Sequence, residues 1–435
     1  MPTSTSAIIL RHAFQNKHKL ITSYLTKGTN PLQNQVMNPF DCALCISSNE
    51  NEKLLLVADY TNNRVLILKL PSGELVNHIE NVMHPHGLCV DREVFHSQNG
   101  SEIVEFRKTF LVSDCMEHVV KRFDIESGKL LQKIGKGVGS ENGYFDRPTG
   151  MCIDYKTRRL YVTDYGNNRI QIFNLQNGEF ISSFGQHLQV MDVISSTSSE
   201  TTQSLNGPFG IAIEHFYHHI HFDEQAQQQF IHPHHTITTS IESPISTTLP
   251  SESPSILYTL IYVVDSKSHS VKMFDGEGNY IGDAISNVKT LSSSQLSLTQ
   301  SFLKNPYHVL IDGNHLIVSD SGNHAVKIFS KPKLSFSHST SSSATTPHYS
   351  IAKQCKFKDG IGTNRYIYEE IPSRRIVDSS FRLDNNNNHE DLASMTFSPT
   401  LPTIEFNYPI GLALDFSTGD LFVVDCVNHR VVVIR

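Results

Sequence analysis

One sequence phrase occurs six times along this chain of 435 residues and constrains its fold more than any other feature. Each copy contains a β-strand pattern, an aspartate, a short polar turn and a second strand, and the clearest copy spans residues 160–173. The repeated aspartates are Asp59, Asp114, Asp164, Asp265, Asp320 and Asp425. A repeated unit of this size cannot bury its own apolar faces, so its copies must stack against one another.

Each phrase belongs to a longer unit with four predicted strands, which we name a to d in chain order. A proline-containing turn opens strand a, strand b ends at the repeated aspartate, strand c follows the polar turn, and a glycine-containing hairpin leads into strand d. The short connections predict antiparallel meanders. Four-stranded units repeated around an axis make a β-propeller. The sequence therefore predicts an all-β fold, a six-bladed β-propeller.

The predicted units span about 39–80, 85–135, 148–185, 208–284, 306–362 and 409–435. The last unit ends after strand c, and residues 19–28 resemble the strand d sequence at 179–185. We therefore expect the N-terminal strand to close the ring in the last blade. Low-complexity inserts at about 215–256 and 363–405 interrupt the pattern, and the Ser/Thr-rich stretch 335–348 is expected to extend the c–d hairpin of the fifth unit.

Composition narrows the class of protein. The formal net charge is −7, from 36 basic and 43 acidic residues, which argues against a globally electrostatic grip on nucleic acid. The seven cysteines lack the spacing of a disulfide framework, which favours reduced thiols. The N-terminus is a poor signal peptide, and no apolar run approaches the roughly 18 residues that span a bilayer. We therefore expect a soluble, cytoplasmic protein without membrane association.

The repeated string resembles the NHL repeat, a family named for an Asn-His-Leu tripeptide in the b–c turn. The turns at 167–169, 323–325 and 428–430 contain Asn-Asn-Arg, Asn-His-Ala and Asn-His-Arg, and the glycine-rich linker at 134–148 is also typical of the family. The second and fourth turns depart from the pattern and are not expected to carry a shared contact. The resemblance implies a propeller of a kind found in TRIM-type ubiquitin ligases, RNA-binding translational repressors, scaffolds and a zinc-dependent amidating lyase.

The recurrence of the aspartates favours a structural role for them. A strand-ending aspartate can accept backbone N–H groups from the turn that follows and fix its conformation. Arg64, Arg169 and Arg430 each follow their aspartate by five residues. We therefore expect an Arg–Asp pair to staple each of these turns.

Loops of an antiparallel meander alternate between its two ends, so the b–c turns and the d–a linkers should share one face. We call this the turn-linker face. Loops on a rigid scaffold commonly carry recognition. The candidate binding residues there are Tyr60, Arg64, His118, Arg147, Tyr165, Arg169, Lys267, Lys304, His429 and Arg430. We therefore predict a non-catalytic, monomeric platform for a protein or peptide partner. The resemblance implies that this platform selects substrates in a ubiquitin-ligase pathway, with the RING supplied by another chain.

Two alternatives remain open. RNA could bind the same face through basic residues, namely Arg64, Arg147, Arg169, Lys267, Lys304 and Arg430. A zinc-dependent lyase or hydrolase would need several histidines that converge on the central channel. His86 and His308 stand near the start of strand a in their units, but they differ by one position in register.

The other metal-binding and catalytic motifs that we considered give little support for an enzymatic function. The first insert carries seven histidines between His215 and His235, but its low-complexity flanks favour weak, unspecific metal binding. Cys42 and Cys45 form a CxxC pair without the second ligand pair that a RING or zinc ribbon needs. Phosphate-binding loops, nucleophile elbows and HExxH motifs are absent from the sequence. We therefore predict no catalytic residues, no metal site and no cofactor.

Overall fold

The computed structural model describes residues 20–46, 52–96, 103–186, 204–217, 256–286, 303–337, 348–353, 357–361 and 404–435. Within these residues, six antiparallel sheets have four strands each and two small sheets have two. Four single-turn 3-10 helices, at Pro31–Gln33, Tyr165–Asn167, Ser266–Ser268 and Ser321–Asn323, lie in connections. No described helix is long and apolar enough to cross a membrane. The predicted all-β class is confirmed.

Each four-stranded sheet is one blade. The chain starts with β1 (Leu20–Tyr24), β2 (Thr26–Lys27) and β3 (Gln35–Val36). Blade 1 then contains β4 (Pro39–Ile46), β5 (Lys53–Asp59), β6 (Arg64–Leu70) and β7 (Glu74–Glu80). Blade 2 contains β8 (Pro85–His96), β9 (Ile103–Asp114), β10 (Val119–Asp124) and β11 (Leu130–Ile134). Blade 3 contains β12 (Pro148–Asp154), β13 (Arg159–Asp164), β14 (Arg169–Asn174) and β15 (Phe180–Phe184).

The second half repeats this order. Blade 4 contains β16 (Pro208–Tyr217), β17 (Ile256–Asp265), β18 (Ser270–Asp275) and β19 (Tyr280–Ile285). Blade 5 contains β20 (Pro306–Asp312), β21 (His315–Asp320) and β22 (Ala325–Ser330), then a separate hairpin of β23 (Lys333–Ser337) and β24 (His348–Lys353), and finally β25 (Phe357–Ile361) as strand d. Blade 6 contains β26 (Pro409–Asp415), β27 (Asp420–Asp425) and β28 (Arg430–Ile434), completed by β1.

The ring closes as the sequence predicts. The a strands of successive blades contact one another in a circle that returns from β26 to β4. Strand β1 pairs antiparallel with β28, with Leu20 opposite Ile434 and Tyr24 opposite Val431. Without β1, strand β28 would present an open row of backbone N–H and C=O groups.

The inserts fall where the repeat is interrupted. Strands a and b of blade 4 continue to Tyr217 and resume at Ile256, so His215 belongs to a strand, whereas residues 218–255 with the other six histidines lie outside the described residues. Most of the second insert, 363–403, lies outside them as well. The hairpin of β23 and β24 stands between strands c and d of blade 5, where an extended c–d connection is expected.

The hydrophobic core lies between the blades. Six clusters of buried apolar side chains each join two neighbouring blades. One apolar residue of each linker, three positions before the proline of strand a, is buried in one of these clusters: Val36, Val82, Phe145, Leu205, Leu303 and Phe406. The linkers are therefore part of the core and fix the turn-linker face against it.

A bulge opens every strand a. In all six blades the pairing between strands a and b shifts between the proline and the fourth residue, as between Pro148 and Met151. Bulges bend a strand and re-aim its side chains. Here they bring the second and third residues of strand a to the propeller axis.

Candidate functional site

The second residues of the a strands meet at the centre of the turn-linker face. They are Phe40, His86, Thr149, Phe209, Tyr307 and Ile410, and they line an axial cavity of about 20 Å³. Four of them are rings in a closed circuit, with centroids 4.4 Å apart for Phe40 and His86, 5.9 Å for His86 and Phe209, 4.3 Å for Phe209 and Tyr307, and 6.5 Å for Tyr307 and Phe40. These rings close the channel, because the remaining space is about the size of one water molecule.

His86 acts in this circuit as an aromatic ring. It stacks on Phe40 with an interplanar angle of 10°. Neither ring nitrogen has a hydrogen-bond partner among the described residues. Burial, assisted by the nearby His84, lowers the pKa of His86 to about 3. The imidazole is therefore neutral at physiological pH, because desolvation disfavours its charged form.

The third residue of strand a sets how closely the blades approach at the axis. Four blades have glycine there: Gly87, Gly150, Gly210 and Gly411. A Cβ atom on Gly150 would lie 2.1 Å from the carbonyl oxygen of Phe209 in the next blade. Glycine is required at such a position because the neighbouring backbone fills the space of a side chain.

Asp41 and His308 replace that glycine and bond across the same junction. The Oδ2 atom of Asp41 accepts the Leu88 N–H at 2.8 Å, and Nδ1 of His308 accepts the Leu412 N–H at 3.0 Å. Burial raises the pKa of Asp41 to about 7 and lowers that of His308 to about 4. Both polar groups are thus committed to holding neighbouring blades together.

Four more rings widen the aromatic cluster on the face. Tyr60 lies 4.6 Å from Phe40 and 4.4 Å from His84, measured between ring centroids. Tyr165 lies 5.4 Å from Phe209, and Tyr408 lies 5.5 Å from Tyr307. Together the eight rings form what we call the aromatic mouth: Phe40, Tyr60, His84, His86, Tyr165, Phe209, Tyr307 and Tyr408. The mouth contains rings from all six blades or the linkers that lead into them.

Cationic side chains flank one side of the aromatic mouth. The Lys267 Nζ atom lies 4.6 Å from the centre of the Tyr165 ring, and the Arg147 guanidinium lies 5.4 Å from it. Arg147 also pairs with Asp146 at 3.2 Å. Lys267, Arg147 and the nearby Lys304 are exposed. This side of the face can therefore attract an anionic group and stack a planar one.

The six repeated aspartates join the linkers to the turns. Each has no solvent-exposed surface. One carboxylate oxygen of each accepts, at 2.6 to 2.8 Å, the N–H of a residue in the linker before its own blade: Met37, Met83, Asp146, Asn206, Lys304 and Asn407. The expected N–H bond from the following turn is observed at Asp114, which accepts from Glu117. Elsewhere the turn contributes a side chain, as when Asn167 donates to Asp164 at 2.9 Å.

The expected Arg–Asp staples are present, and they remove two candidates from the binding surface. The Nε atoms of Arg64 and Arg169 donate to Asp59 and Asp164 at 2.7 Å, and both arginine side chains are buried. Arg430 makes the same bond at 2.8 Å with a third of its side chain exposed. A partner cannot reach the guanidinium groups of Arg64 and Arg169, because the linkers cover them.

The last residue of each b–c turn bonds to the next blade. The six turn residues, Asn63, His118, Asn168, His269, His324 and His429, have φ angles between 53° and 56°. Their side-chain acceptors receive, in that order, the N–H groups of His84, Arg147, Gly207, Asn305, Tyr408 and Asn38 at 2.8 to 3.1 Å. The expectation that the second and fourth turns lack a shared contact is wrong, because His118 and His269 make it. Nδ1 accepts in each histidine, so the proton sits on Nε2.

Among the described residues, the geometry provides no metal site of the kind that the zinc-lyase hypothesis requires. His86 is stacked between rings, and His308 has its Nδ1 engaged by a backbone N–H. Over the described residues, no group of three or more His, Cys, Asp or Glu side chains could hold a metal ion. His215 bonds to Asp154 at 2.9 Å and to Thr259 at 2.8 Å, so it is engaged in blade contacts.

Comparisons with known proteins also identify NHL repeats in this chain. The family model described as NHL repeat matches residues 145–173 and 406–434, each running from the buried linker aromatic to the end of strand c. NHL repeat-containing protein 2 of Gallus gallus is 22% identical over 178 residues, which cover 38% of this chain and 23% of that protein. The match thus spans about a quarter of the relative's length.

The chain is a six-bladed β-propeller that contains NHL repeats.

Solved structures similar to the NHL propeller share little sequence with it. A Bacteroides thetaiotaomicron protein of unknown function is 11% identical, with a TM-score of 0.47 over 96% of this chain and 75% of that chain. Virginiamycin B lyase from Staphylococcus aureus is 10% identical, with a TM-score of 0.38 over 90% of this chain and 78% of that chain.

The NHL propeller brings some candidates together and separates others. Tyr60 and Tyr165 enter the aromatic mouth, with Arg147 and Lys267 beside Tyr165, whereas His118 and His429 serve blade contacts. Sequence reasoning missed Phe40, Phe209, Tyr307, Tyr408 and His84 as members of one cluster. In the sequence, each of these rings directly follows or precedes the proline of strand a. That they form one cluster depends on the bulge that opens this strand.

Proposed function

We propose that the NHL propeller is a non-catalytic binding platform whose aromatic mouth and its surroundings contact a protein or peptide partner. The observation that supports this proposal is the cluster of half-buried aromatic rings at the centre of the turn-linker face. Tyrosine, methionine and arginine are favoured in protein interfaces. Met83 and Met116 expose 41% and 54% of their surface beside the mouth, and the Met116 N–H donates to the Met83 carbonyl.

The resemblance to the NHL family supports one cellular setting for this platform. Propellers of the family select substrates in ubiquitin ligases, and this chain has no RING motif in its sequence. The partner would then be a substrate for ubiquitination and degradation by the proteasome, with the ligase activity carried by another chain.

RNA is the second candidate, and the geometry around Tyr165 favours it. A ring flanked by Lys267 and Arg147 can stack a base and neutralise phosphates. The burial of Arg64 and Arg169 weakens this candidate, because two of the six basic residues invoked for RNA lie inside the fold.

A capture experiment can distinguish a protein partner from RNA. We would capture partners from cell extract on the intact chain and on Tyr165→Ala and Met116→Asp variants, with and without ribonuclease. A protein partner should be retained after ribonuclease and lost from both variants. Tyr155→Ala is the control, because Tyr155 is an exposed tyrosine in the a–b loop on the opposite face.

RNA binding makes a different prediction. The binding constant for a labelled 20-nucleotide poly(U), measured by fluorescence anisotropy, should fall as the salt concentration rises. A plot of its logarithm against the logarithm of salt concentration should have a slope of about −2 for three phosphate contacts. The protein-platform proposal is abandoned if Tyr155→Ala loses the captured partner as strongly as Tyr165→Ala, or if ribonuclease releases everything that is captured.

A further inference from the structure

The connection between blades 1 and 2 is much shorter than the others. Residues 81–84 link β7 to β8, whereas residues 25–38 link β1 to β4 and residues 135–147 link β11 to β12. Between the described strands, the remaining three linkers also span more sequence than 81–84. Length matters because the described linker between blades 2 and 3 passes an outer groove between strand d of blade 2 and strand c of blade 3.

The linker between blades 2 and 3 fills this groove. Between blades 2 and 3, the Gly143 N–H donates to Oε1 of Gln171 at 2.9 Å, and Nε2 of Gln171 donates to the Tyr144 carbonyl at 2.6 Å. Arg169 donates to the carbonyls of Glu141 and Tyr144 at 2.8 Å. The fold thus holds a chain segment in the groove through hydrogen bonds between its backbone and the side chains of β14.

Between blades 1 and 2 the groove stays open, with a volume of about 620 Å³. Lys121 stands at the position that Gln171 holds in blade 3, seven residues after the repeated aspartate. Within the short linker, the Asn81 carbonyl is the one that accepts a hydrogen bond from Lys121. The Glu117 side chain accepts from Lys121 at 2.7 Å and from Lys133 at 2.9 Å. A side-chain ion pair therefore takes the place of the missing backbone.

One wall of the groove is a strand edge. Residues 77–81 line it consecutively, and most of them belong to β7, which pairs with β6 on its other side. No described strand pairs with this outer edge of β7. An open edge is a template for an added strand. Five residues of wall correspond to roughly 16 Å, which suits an extended segment of about five residues.

The side chains of the groove specify the occupant. Phe123 and Ile79 are buried in its floor, and Leu130 exposes 40% of its surface at the rim. Glu80 keeps 69% of its side chain exposed, with His78 3.5 Å away. Lys121 pairs with the buried Asp114 and with Glu117, and Lys133 pairs with Glu117, so these two carboxylates offset the two lysines and the exposed Glu80 adds a negative charge. The charge that Glu80 adds at the rim complements a basic segment.

We propose that the groove between blades 1 and 2 binds an extended segment of a partner protein, with basic side chains around an apolar residue, as a fifth strand beside β7. The site is separate from the aromatic mouth, so it does not depend on the function proposed there.

Three labelled decapeptides test this proposal by fluorescence anisotropy with the full chain. One alternates lysine and valine, the second alternates glutamate and valine, and the third carries two central prolines in the lysine sequence. The lysine peptide should bind with a Kd below about 100 μM, and the other two at least about tenfold more weakly. Prolines abolish the backbone bonds of an added strand.

Matched variants locate the binding. Leu130→Lys should weaken the lysine peptide about tenfold, whereas Leu131→Lys, on the same strand and 38% exposed, should not, because Leu131 does not line the groove. Glu80→Lys should shift the preference toward the glutamate peptide. Hydrogen exchange should show protection at residues 77–81. The proposal is overturned by failure of the lysine peptide to saturate at about 1 mM, by equal losses in the two leucine variants, or by loss of binding in Tyr165→Ala.

Discussion

At the residue scale, the turn position shared by Asn and His explains why both occur in the repeat. The backbone there has a positive φ, which asparagine and histidine tolerate better than most residues. Both also offer a side-chain acceptor to the N–H of the next blade, Oδ1 in asparagine and Nδ1 in histidine. The two residues are therefore interchangeable at neutral pH, but only histidine can lose the acceptor by protonation.

Replacing His429 with Asn should reduce the acid sensitivity of the fold. Burial, assisted by Lys27 and opposed by Asp59, lowers the pKa of His429 from its ordinary 6.5. Protons therefore bind the unfolded chain first, and the stabilising contribution of His429, complete above pH 6.5, is lost as pH falls through that value toward the folded pKa. Urea unfolding should give His429→Asn a stability within about 1 kcal/mol of the native chain at pH 7.5 and a smaller fall by pH 5.5.

The reverse change supplies the control. Asn168→His places an imidazole at a junction that now uses an amide, and it should add acid sensitivity without a large effect at pH 7.5. Equal pH profiles for the native chain and both variants would contradict the assigned role of this acceptor.

At the element scale, each blade is incomplete without a neighbour or a distant segment. Strand β1 contributes more than backbone pairing to blade 6, since the Tyr24 hydroxyl donates to the Pro71 carbonyl of blade 1 at 2.9 Å. The repeated hairpin pattern identified the strands, and the similarity between 19–28 and 179–185 identified the closing strand. Sequence could not identify the bulges, because the register shift arises from crowding at the axis.

Removing residues 1–24 should open the ring, whereas removing residues 1–19 leaves β1 in place. We expect the longer deletion to lower the free energy of unfolding by about 3 kcal/mol or more, on the scale of losing a large buried side chain. It should also promote association through the exposed edge of β28. Urea unfolding and light scattering measure the two effects.

A peptide of residues 18–28 added in trans should restore part of the lost stability by mass action. Equal stability of the two deletions would show that β1 does not hold the ring closed.

At the scale of the whole molecule, stability depends on the junctions between blades. Every described core cluster lies between two blades, so no blade has a hydrophobic core of its own. A closed ring gives each blade two such neighbours. We therefore expect the propeller to unfold as one cooperative unit, in contrast to an open array that can fray from its ends.

Phe145→Ala should destabilise the whole propeller. Phe145 is fully buried in the cluster between blades 2 and 3, and losing such a side chain costs about 3–5 kcal/mol. Val138→Ala is the control, because Val138 lies in the same linker with 67% of its surface exposed and should change stability by less than about 0.5 kcal/mol. Circular dichroism and tyrosine fluorescence should report coincident urea transitions in every variant. Separate transitions, or equal effects of the two substitutions, would contradict the cooperative ring.

The blade count, the strand order, the closing strand and the Arg–Asp staples could all be predicted from the sequence, because they depend on local periodicity and on contacts within a few residues of a turn. Only the folded chain shows which candidate side chains are accessible at the surface. Arg64 and Arg169 are covered by linkers, and the rings of the mouth assemble from six distant places only after the ring closes. The physical reason is that burial depends on what packs over a side chain, and packing across a closed ring joins residues that no local pattern connects.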